Sequence, residues 1–392
     1  MKYSVVIISN GVPKIEPTSA GERLIRELYF ALKAVGHTPI IFSAQPLNGE
    51  AESYDVDHIF IRVNSDSRFT HIRNLYNSWS PNRQLLKGIK ANSAALSILQ
   101  QARIVDLQWS SNLLLAPWIK RLNPQAQVIG TFHDISEQRF KRRGRSERNP
   151  VKALYWRALA VAASASENFY SRSLDTLVTL SDKDFHLLAL EPGFRESCQV
   201  ILPPVYTTRA LPQRQADDST ILFVGTMYRW ENHEAVEWFI REILPGVWKK
   251  KPHARLLVAG ESPSADLVAL GSDARIEFLG FVDDVEPLYA RAALVVAPIR
   301  LGSGVKFKTL DAILRGIPVV STNAGIEGIA RVGWISKLAN SADSFTQAVI
   351  DVLSAPEVYA EKAKVSCDEA KSLYSSEAYR NRIAQVYGRG DE

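Results

Sequence analysis

The chain has 392 residues, 46% of them hydrophobic and 23% charged, with a formal net charge of +5. That suits two to three globular domains, or one large α/β unit, and excludes a disordered or collagen-like chain. Two cysteines, Cys198 and Cys367, make no disulfide framework, no CxxC or Cys/His cluster marks a zinc site, and the mild positive charge does not by itself imply nucleic acid.

The start, MKYSVVIISNG, has one lysine and a short apolar run before it turns polar, so it reads as a first strand and not as a signal peptide. No apolar run approaches the length of a membrane span. A reducing, cytoplasmic setting is the expectation. The loop NGVPKIEPTSAG leads into a helical pattern, ERLIRELYFALKAVG, which Thr18 or Ser19 would cap. TPIIFSA and HIFIRV are the next strands. The first loop lies at the carboxyl end of a strand, where open α/β sheets bind ligands. Gly21 either serves such a site or only permits close helix–strand packing.

From Asn64 to Arg83 the chain is polar and aromatic, with no clear period. Arg83 to Ala102 reads as one helix, IVDLQW as a strand, LLLAPWIKRL as a short helix ended by Asn123 and Pro124, and AQVIGTFHD as the next strand. His133 and Asp134 stand at its end. A lone histidine there is ordinarily structural, and Asp134 can serve as a helix cap. RFKRRGRSER, Arg139 to Arg148, is the densest basic run, with six Arg/Lys and one Glu. It reads as a solvated loop or as a contact for anionic lipid headgroups, each basic residue contributing on the order of 1 kcal/mol near such a surface. VKALYWRALAVAASASENFY is apolar on most faces and is expected to be a buried helix. DTLVTLS and CQVILPP are two more strands, separated by a helix capped at Ser181 or Asp182. Pro203 to Ser219 reads as a linker.

The second half restarts with a strand, a loop and an amphipathic helix in ILFVGTMYRWENHEAVEWFIREILPGV. ARLLVAG, RIEFLGFV and LVVAPI are further strands, with DVEPLYARA a helix between the last two. Strands alternating with helices in both halves mean parallel sheets covered on both faces. The fold class is therefore α/β, with two Rossmann-like doubly wound domains facing each other. The expected boundaries are 1–205, 206–370 and a closing helix at 371–392.

LVVAPIRLGSGVKFKTLDAILRGIPVVST, residues 294–322, organises the chain. A buried strand leads to a turn in which Gly302 and Gly304 flank Ser303. Lys306 and Lys308 open a helical segment that ends at Gly316. A glycine turn lets main-chain amides approach a ligand, and a helix start adds unpaired N–H groups and partial positive charge. With Arg300, Lys306 and Lys308 this is a site for an anion, a phosphate or diphosphate. Asp311, about 1.5 turns beyond Lys306, is at a reach for the hydroxyls of an attached sugar.

With the flanking IPVVSTNAGIEGI, this stretch resembles the donor-binding segment of the group 1 (family 4) retaining glycosyltransferases, in the branch with a GSG-x-K loop. Those enzymes usually carry two glutamates eight positions apart; here Asp311 stands at the second and Ser303 at the first. The resemblance implies the GT-B fold, with the C-terminal helix packing back on the first domain. It implies a sugar moved, with retention, from a nucleotide-diphosphate sugar to an acceptor hydroxyl in bacterial polysaccharide or glycolipid synthesis, with no cofactor and no metal. By the same resemblance His133 and Asp311 are the catalytic candidates, and His133 faces the donor sugar. Ser19 and Gly21 lie on the acceptor side. Gly225 and Arg229 attend the donor diphosphate together with the amides of Gly302, Ser303, Gly304 and Val305. Glu231 stands near where the family has a lysine; either Arg229 alone serves, or Arg300 and Lys306 supply the missing charge from the opposite loop. Phe281 and Val282 sit against the nucleobase, although a packing role for Phe281 stays open, and Glu327 reaches the ribose or sugar. The implied partners are a nucleotide sugar, a sugar or lipid-linked acceptor and, through Arg139–Arg148, the inner face of an anionic cytoplasmic membrane; no nucleic acid is expected. Two other readings remain, a non-catalytic sugar-nucleotide-binding subunit and a GT-B-fold sugar-nucleotide epimerase.

Overall fold

The computed structural model describes the chain apart from residues 1–2, 16, 18, 46–53, 64–81, 189–196, 205–216 and 391–392. Thr18, nearly all of the aperiodic stretch after Asn64, and most of the expected linker lie outside the described residues. The chain divides into two compact units. One is Met1–Pro204 with Ser376–Glu392, the other Val205–Ser375.

The first unit is built on β1 (Val5–Ile8), β2 (Pro39–Ala44), β3 (His58–Ile61), β4 (Ile104–Gln108), β5 (Gln127–Phe132), β6 (Thr176–Thr179) and β7 (Cys198–Val200). All pair in parallel, in the order β3-β2-β1-β4-β5-β6-β7. β1 is covered on both faces, which is why VVII shows no polar alternation. Helix α1 (Ala20–Ala34) follows β1 and is capped by the Ser19 hydroxyl, which accepts from the Glu22 amide at 3.2 Å.

Three expectations in this unit are corrected. The helix expected over Arg83–Ala102 is two, α2 (Arg83–Ala91) and α3 (Ser93–Gln101). Asn92 stops the first and caps the second by accepting from Ala95 N at 3.0 Å. After α4 (Ala116–Leu122), the basic run is not a loop but lies largely in α5 (Ser136–Ser146). α5 packs on α6 (Pro150–Ser171): a Cβ on Gly144 would stand 3.3 Å from Ala153 O and Trp156 Cβ, and the rings of Phe140 and Trp156 stack at 5.9 Å. Third, α6 is not buried all round. Val151, Leu154, Val161 and Phe169 are 75, 67, 70 and 61% exposed, and their spacing puts them on one face.

α7 (Asp182–Leu188) completes the first half of the chain. The second unit holds β8 (Asp217–Val224), α8 (Trp230–Trp238), α9 (Leu244–Trp248), β9 (Arg255–Ala259), α10 (Ala265–Ala269), β10 (Ile276–Gly280), α11 (Glu286–Arg291), β11 (Ala292–Ala297), α12 (Phe307–Ile313), β12 (Val319–Ser321), β13 (Lys337–Leu338), α13 (Ala342–Ser354) and α14 (Pro356–Leu373). Its parallel sheet has the order β10-β9-β8-β11-β12-β13. Asp217 to Ser219, read as linker, are the first residues of β8. The long amphipathic helix expected after β8 is interrupted by a π-helical stretch, Phe239–Ile243, just before Pro245. The last helix, α15 (Ser376–Tyr387), belongs to the first unit, where Tyr379, Ile383 and Tyr387 join the core of Val5, Ile7, Leu28 and Leu32.

In each sheet the first and fourth strands lie side by side, and the connections run outward from them in opposite directions. Loops leaving such a pair diverge and open a crevice at the carboxyl ends. The pair is β1 and β4 in the first unit, β8 and β11 in the second.

Candidate active site

At the β8/β11 pair, Gly225 follows β8 and the 300–306 turn follows β11. A Cβ on Gly225 would lie 2.6 Å from Lys308 Nζ and 2.9 Å from Asn232 Nδ2, so any larger residue there pushes these side-chain ends aside. That ammonium donates to Asn232 Oδ1 and lies 4.6 Å from the centroid of the Phe223 ring. Burial of the nitrogen pushes the Lys308 pKa down to about 7; the nearby Arg229 and Lys306 charges push the same way and Glu231 opposes them. Gly302 and Gly304 have φ of +82° and +73°, left-handed values that suit glycine. A Cβ on Gly302 would stand 3.6 Å from Glu231 Cγ, and Glu231 takes Arg229 through Nε at 3.0 Å and Nη2 at 2.8 Å.

The loop after β12 closes on the same turn. A Cβ on Gly328, which has φ +82°, would stand 2.6 Å from Val305 Cα, and the Lys306 amide donates to Glu327 O at 2.9 Å. The Lys306 side chain turns back into its own loop. It donates to Ser303 O at 3.1 Å and Gly304 O at 2.9 Å and lies 3.7 Å from Glu327 Oε2. Gly225, Arg229, Gly302 to Lys306 and Glu327 are thus one cluster, together with Glu231, Asn232 and Lys308. In the sequence Lys308 is only one more charge. Its placement opposite Gly225 is what marks it, and residue spacing carries no sign of that.

The remaining expected donor-side residues stand differently. Arg300 pairs with Glu234 on α8 and lies over the Trp238 ring at 4.3 Å. Asp311 Oδ1 is 3.4 Å from Arg315 Nη1, and the same guanidinium grips Glu286 of α11 and donates to Asp311 O at 2.8 Å. Phe281 is 64% exposed beyond β10, so it is not a core packing residue, and Val282 beside it is half-buried.

At the β1/β4 pair of the first unit, Trp109 follows β4 at φ +65°, unusual for a bulky residue and costing roughly 1–3 kcal/mol. Its indole stacks on His133 with centroids 3.9 Å apart and planes 16° from parallel. A Cβ on Gly21 would stand 3.1 Å from the same indole. Trp109 therefore joins Gly21 to His133, and the missing side chain of Gly21 is the room the indole uses. Ser19 spends its hydroxyl on the α1 cap. His133 Nε2 lies 2.8 Å from Gln108 Oε1, and burial lowers its pKa to about 3, with Asp134 opposing, so the ring is neutral at physiological pH. Among the described residues no group of three or more His, Cys, Asp or Glu is disposed to hold a metal ion.

Residues 218–355 match the family of glycosyl transferases group 1. The chain is 24% identical over 259 residues to the lipopolysaccharide core biosynthesis mannosyltransferase LpcC of Rhizobium leguminosarum bv. viciae, covering 61% of this chain and 72% of that protein. Among solved structures it is similar to sucrose-phosphate synthase from Thermosynechococcus elongatus, with TM-score 0.71 at 17% identity over 98% of both chains. It is also similar to Anabaena HepE in complex with UDP and glucose, with TM-score 0.67 at 13% identity over 98% of this chain and 99% of that one. Two doubly wound parallel domains with these neighbours define the GT-B class of fold. The family match falls in the second unit, whose residues 218–355 are similar to the glycosyl transferases of group 1.

Proposed function

We propose that the chain moves a sugar, with retention and without a metal, from a nucleotide-diphosphate sugar to an acceptor hydroxyl in the synthesis of a bacterial envelope polysaccharide or glycolipid. The observation that carries this is the cluster at the end of β8 and β11. There a glycine-lined turn and the Lys308 ammonium, seated on Gly225 beside Arg229, form a receptacle for a diphosphate. HepE binds UDP and glucose on a similar fold, and LpcC acts in lipopolysaccharide core biosynthesis. Both support the same classes of donor and product here.

In this reading Lys308, Arg229 and the amides of residues 302–305 stabilise the leaving diphosphate through charges and dipoles already in place. The bond from the anomeric carbon to the diphosphate oxygen breaks as the acceptor oxygen bonds the same carbon on the same face. The acceptor proton passes to the departing phosphate oxygen. His133, neutral, serves a sugar hydroxyl, and Asp311 and Glu327 serve the sugar or ribose. Phe281 offers an exposed ring to the nucleobase. A thermal-shift panel of sugar nucleotides tests the donor class, because a ligand that binds only the folded state raises Tm. The expected result is a shift with at least one nucleotide-diphosphate sugar that Gly225→Ala loses. No shift with any of them, or an equal shift in the variant, contradicts the assignment.

Peripheral membrane contact belongs to the same reading. No helix among the described residues is long and apolar enough to cross a membrane. The exposed apolar face of α6, beside Lys152, Arg157 and the basic residues of α5, has the composition of a surface that rests on anionic lipid. Flotation with anionic vesicles is expected to carry the protein, and Leu154→Glu with Val161→Glu to abolish this. Flotation unchanged in the double variant would refute that placement.

A further inference from the structure

We propose that Tyr387, in the last helix of the chain, positions His133 through Asp106 and Gln108, so that the imidazole is presented as its Nε2–H tautomer. This rests on the reading of His133 as a sugar-facing residue and goes beyond it by naming what sets the ring's proton.

Asp106 lies in the middle of β4, wholly buried. A carboxylate only accepts hydrogen bonds, and this one has three donors: the Tyr387 hydroxyl at 2.7 Å, Gln108 Nε2 at 2.6 Å and Thr131 Oγ1 at 3.1 Å. Asp106 and Gln108 are two residues apart on one strand, so they share a face of the sheet, and Thr131 is the β5 partner of Gln108 in register. The carboxylate fixes which way the Gln108 amide points. With its NH2 on Asp106, its carbonyl is the end that meets His133 Nε2 at 2.8 Å. The opposite flip would set a carbonyl against a carboxylate and forfeit that bond, keeping only a donation from the amide to a bare Nε2. An amide carbonyl cannot donate, so His133 Nε2 must carry the proton. In a neutral ring Nδ1 is then a bare acceptor, suited to a sugar hydroxyl.

Tyr387 supplies the outer anchor. Burial and the neighbouring Asp106 charge hold its phenol well above the usual pKa, so it stays a donor. It arrives from 281 residues away in sequence, on α15, whose Tyr379 and Ile383 are packed in the same core. Trp109, stacked on the ring face, keeps the imidazole from turning. The order of the relay is therefore last helix, central strand, amide, imidazole.

The test is 15N-histidine NMR on the full chain, with the transfer rate measured on the same samples. The His133 signals are assigned by their loss in His133→Asn. Wild type is expected to show a protonated Nε2 and a bare Nδ1. Gln108→Leu is expected to give mixed tautomers and a kcat lower by roughly 2- to 12-fold, the worth of one hydrogen bond. A far-UV circular dichroism spectrum of Gln108→Leu that matches wild type separates positioning from misfolding. Tyr387→Phe keeps the packing and is expected to move the His133 shifts toward the mixture. A protonated Nδ1 in wild type, or His133 shifts unmoved in both Gln108→Leu and Tyr387→Phe, overturns the proposal. If the shifts respond as expected while His133→Asn transfers at the wild-type rate, the positioning stands and the site reading of His133 falls.

Discussion

Lys308 makes the donor reading quantitative. In the free protein its ammonium titrates near pH 7, because burial disfavours the charge and Arg229 and Lys306 repel it. A diphosphate beside it favours the charged form, so binding above pH 7 must take up a proton. The linker phosphates of a sugar nucleotide carry no proton in this range; the second ionisation near pH 6 belongs to monoesters. With a free pKa of about 7 and a bound pKa well above it, Kd is expected to rise ~25-fold between pH 6.5 and pH 8.5, or ~1.9 kcal/mol. Isothermal titration calorimetry in buffers of different ionisation enthalpy reads both the affinity and the proton uptake, which should approach one proton at pH 8. In Lys308→Met the slope should vanish along with most of the affinity. A Kd flat within twofold across the window in wild type, or the same slope surviving in Lys308→Met, would refute the reasoning.

The same lysine should cost stability. Its folded pKa is depressed, so between about pH 7 and pH 10.4 the unfolded chain binds more protons and stability rises with pH; Lys308→Met is expected to raise Tm at pH 7 and to flatten that rise in thermal scans. Gly225→Ala puts a Cβ where Lys308 Nζ sits, and a drop in donor affinity of roughly tenfold or more, read by calorimetry, is expected from ~1.4 kcal/mol of displacement. Arg315→Met leaves Glu286 without its partner in a largely buried pair and is expected to cost roughly 3 kcal/mol in urea unfolding of the full chain; a cost below about 1 kcal/mol would show that the pair tying α11 to the segment after α12 is not needed. Gly21→Ala must move Trp109 by a few tenths of an ångström, seen as a changed tryptophan emission spectrum with α1 retained.

The sheets were legible because their strands are buried on both faces. VVII and AALVVA are unbroken runs of β-branched, leucine and small apolar residues, as strands covered on both faces require. Alternation with helices then implied two doubly wound units. The glycine turn was legible for a related reason: glycines flanking Ser303 suit the two left-handed φ angles found there. What escaped was decided by packing partners far away in sequence. Lys306 and Lys308 look alike as letters, yet one folds into its own loop and the other is received by Gly225, some eighty residues earlier. α6 looked buried because its apolar residues cover most of its circumference; only the packed structure shows which side α5, α4 and the 110–115 turn leave open. The basic run looked like a loop because its charges mask the Phe140 and Gly144 contacts that seat it on α6. The Asp106–Tyr387 bond joins residues 281 apart in sequence and leaves no local trace.

The most direct test of the account is transfer itself, with retention as its signature. The full chain is incubated with the sugar nucleotide that stabilises it, 13C-labelled at the anomeric carbon, and with a sugar or lipid-linked acceptor. The one-bond carbon–proton coupling at that carbon is then measured in the product by NMR. The account predicts a new glycoside with the donor's anomeric configuration, formed at a rate that collapses in Lys308→Met. An inverted anomer, or no transfer above the spontaneous rate from a donor that binds, would contradict it.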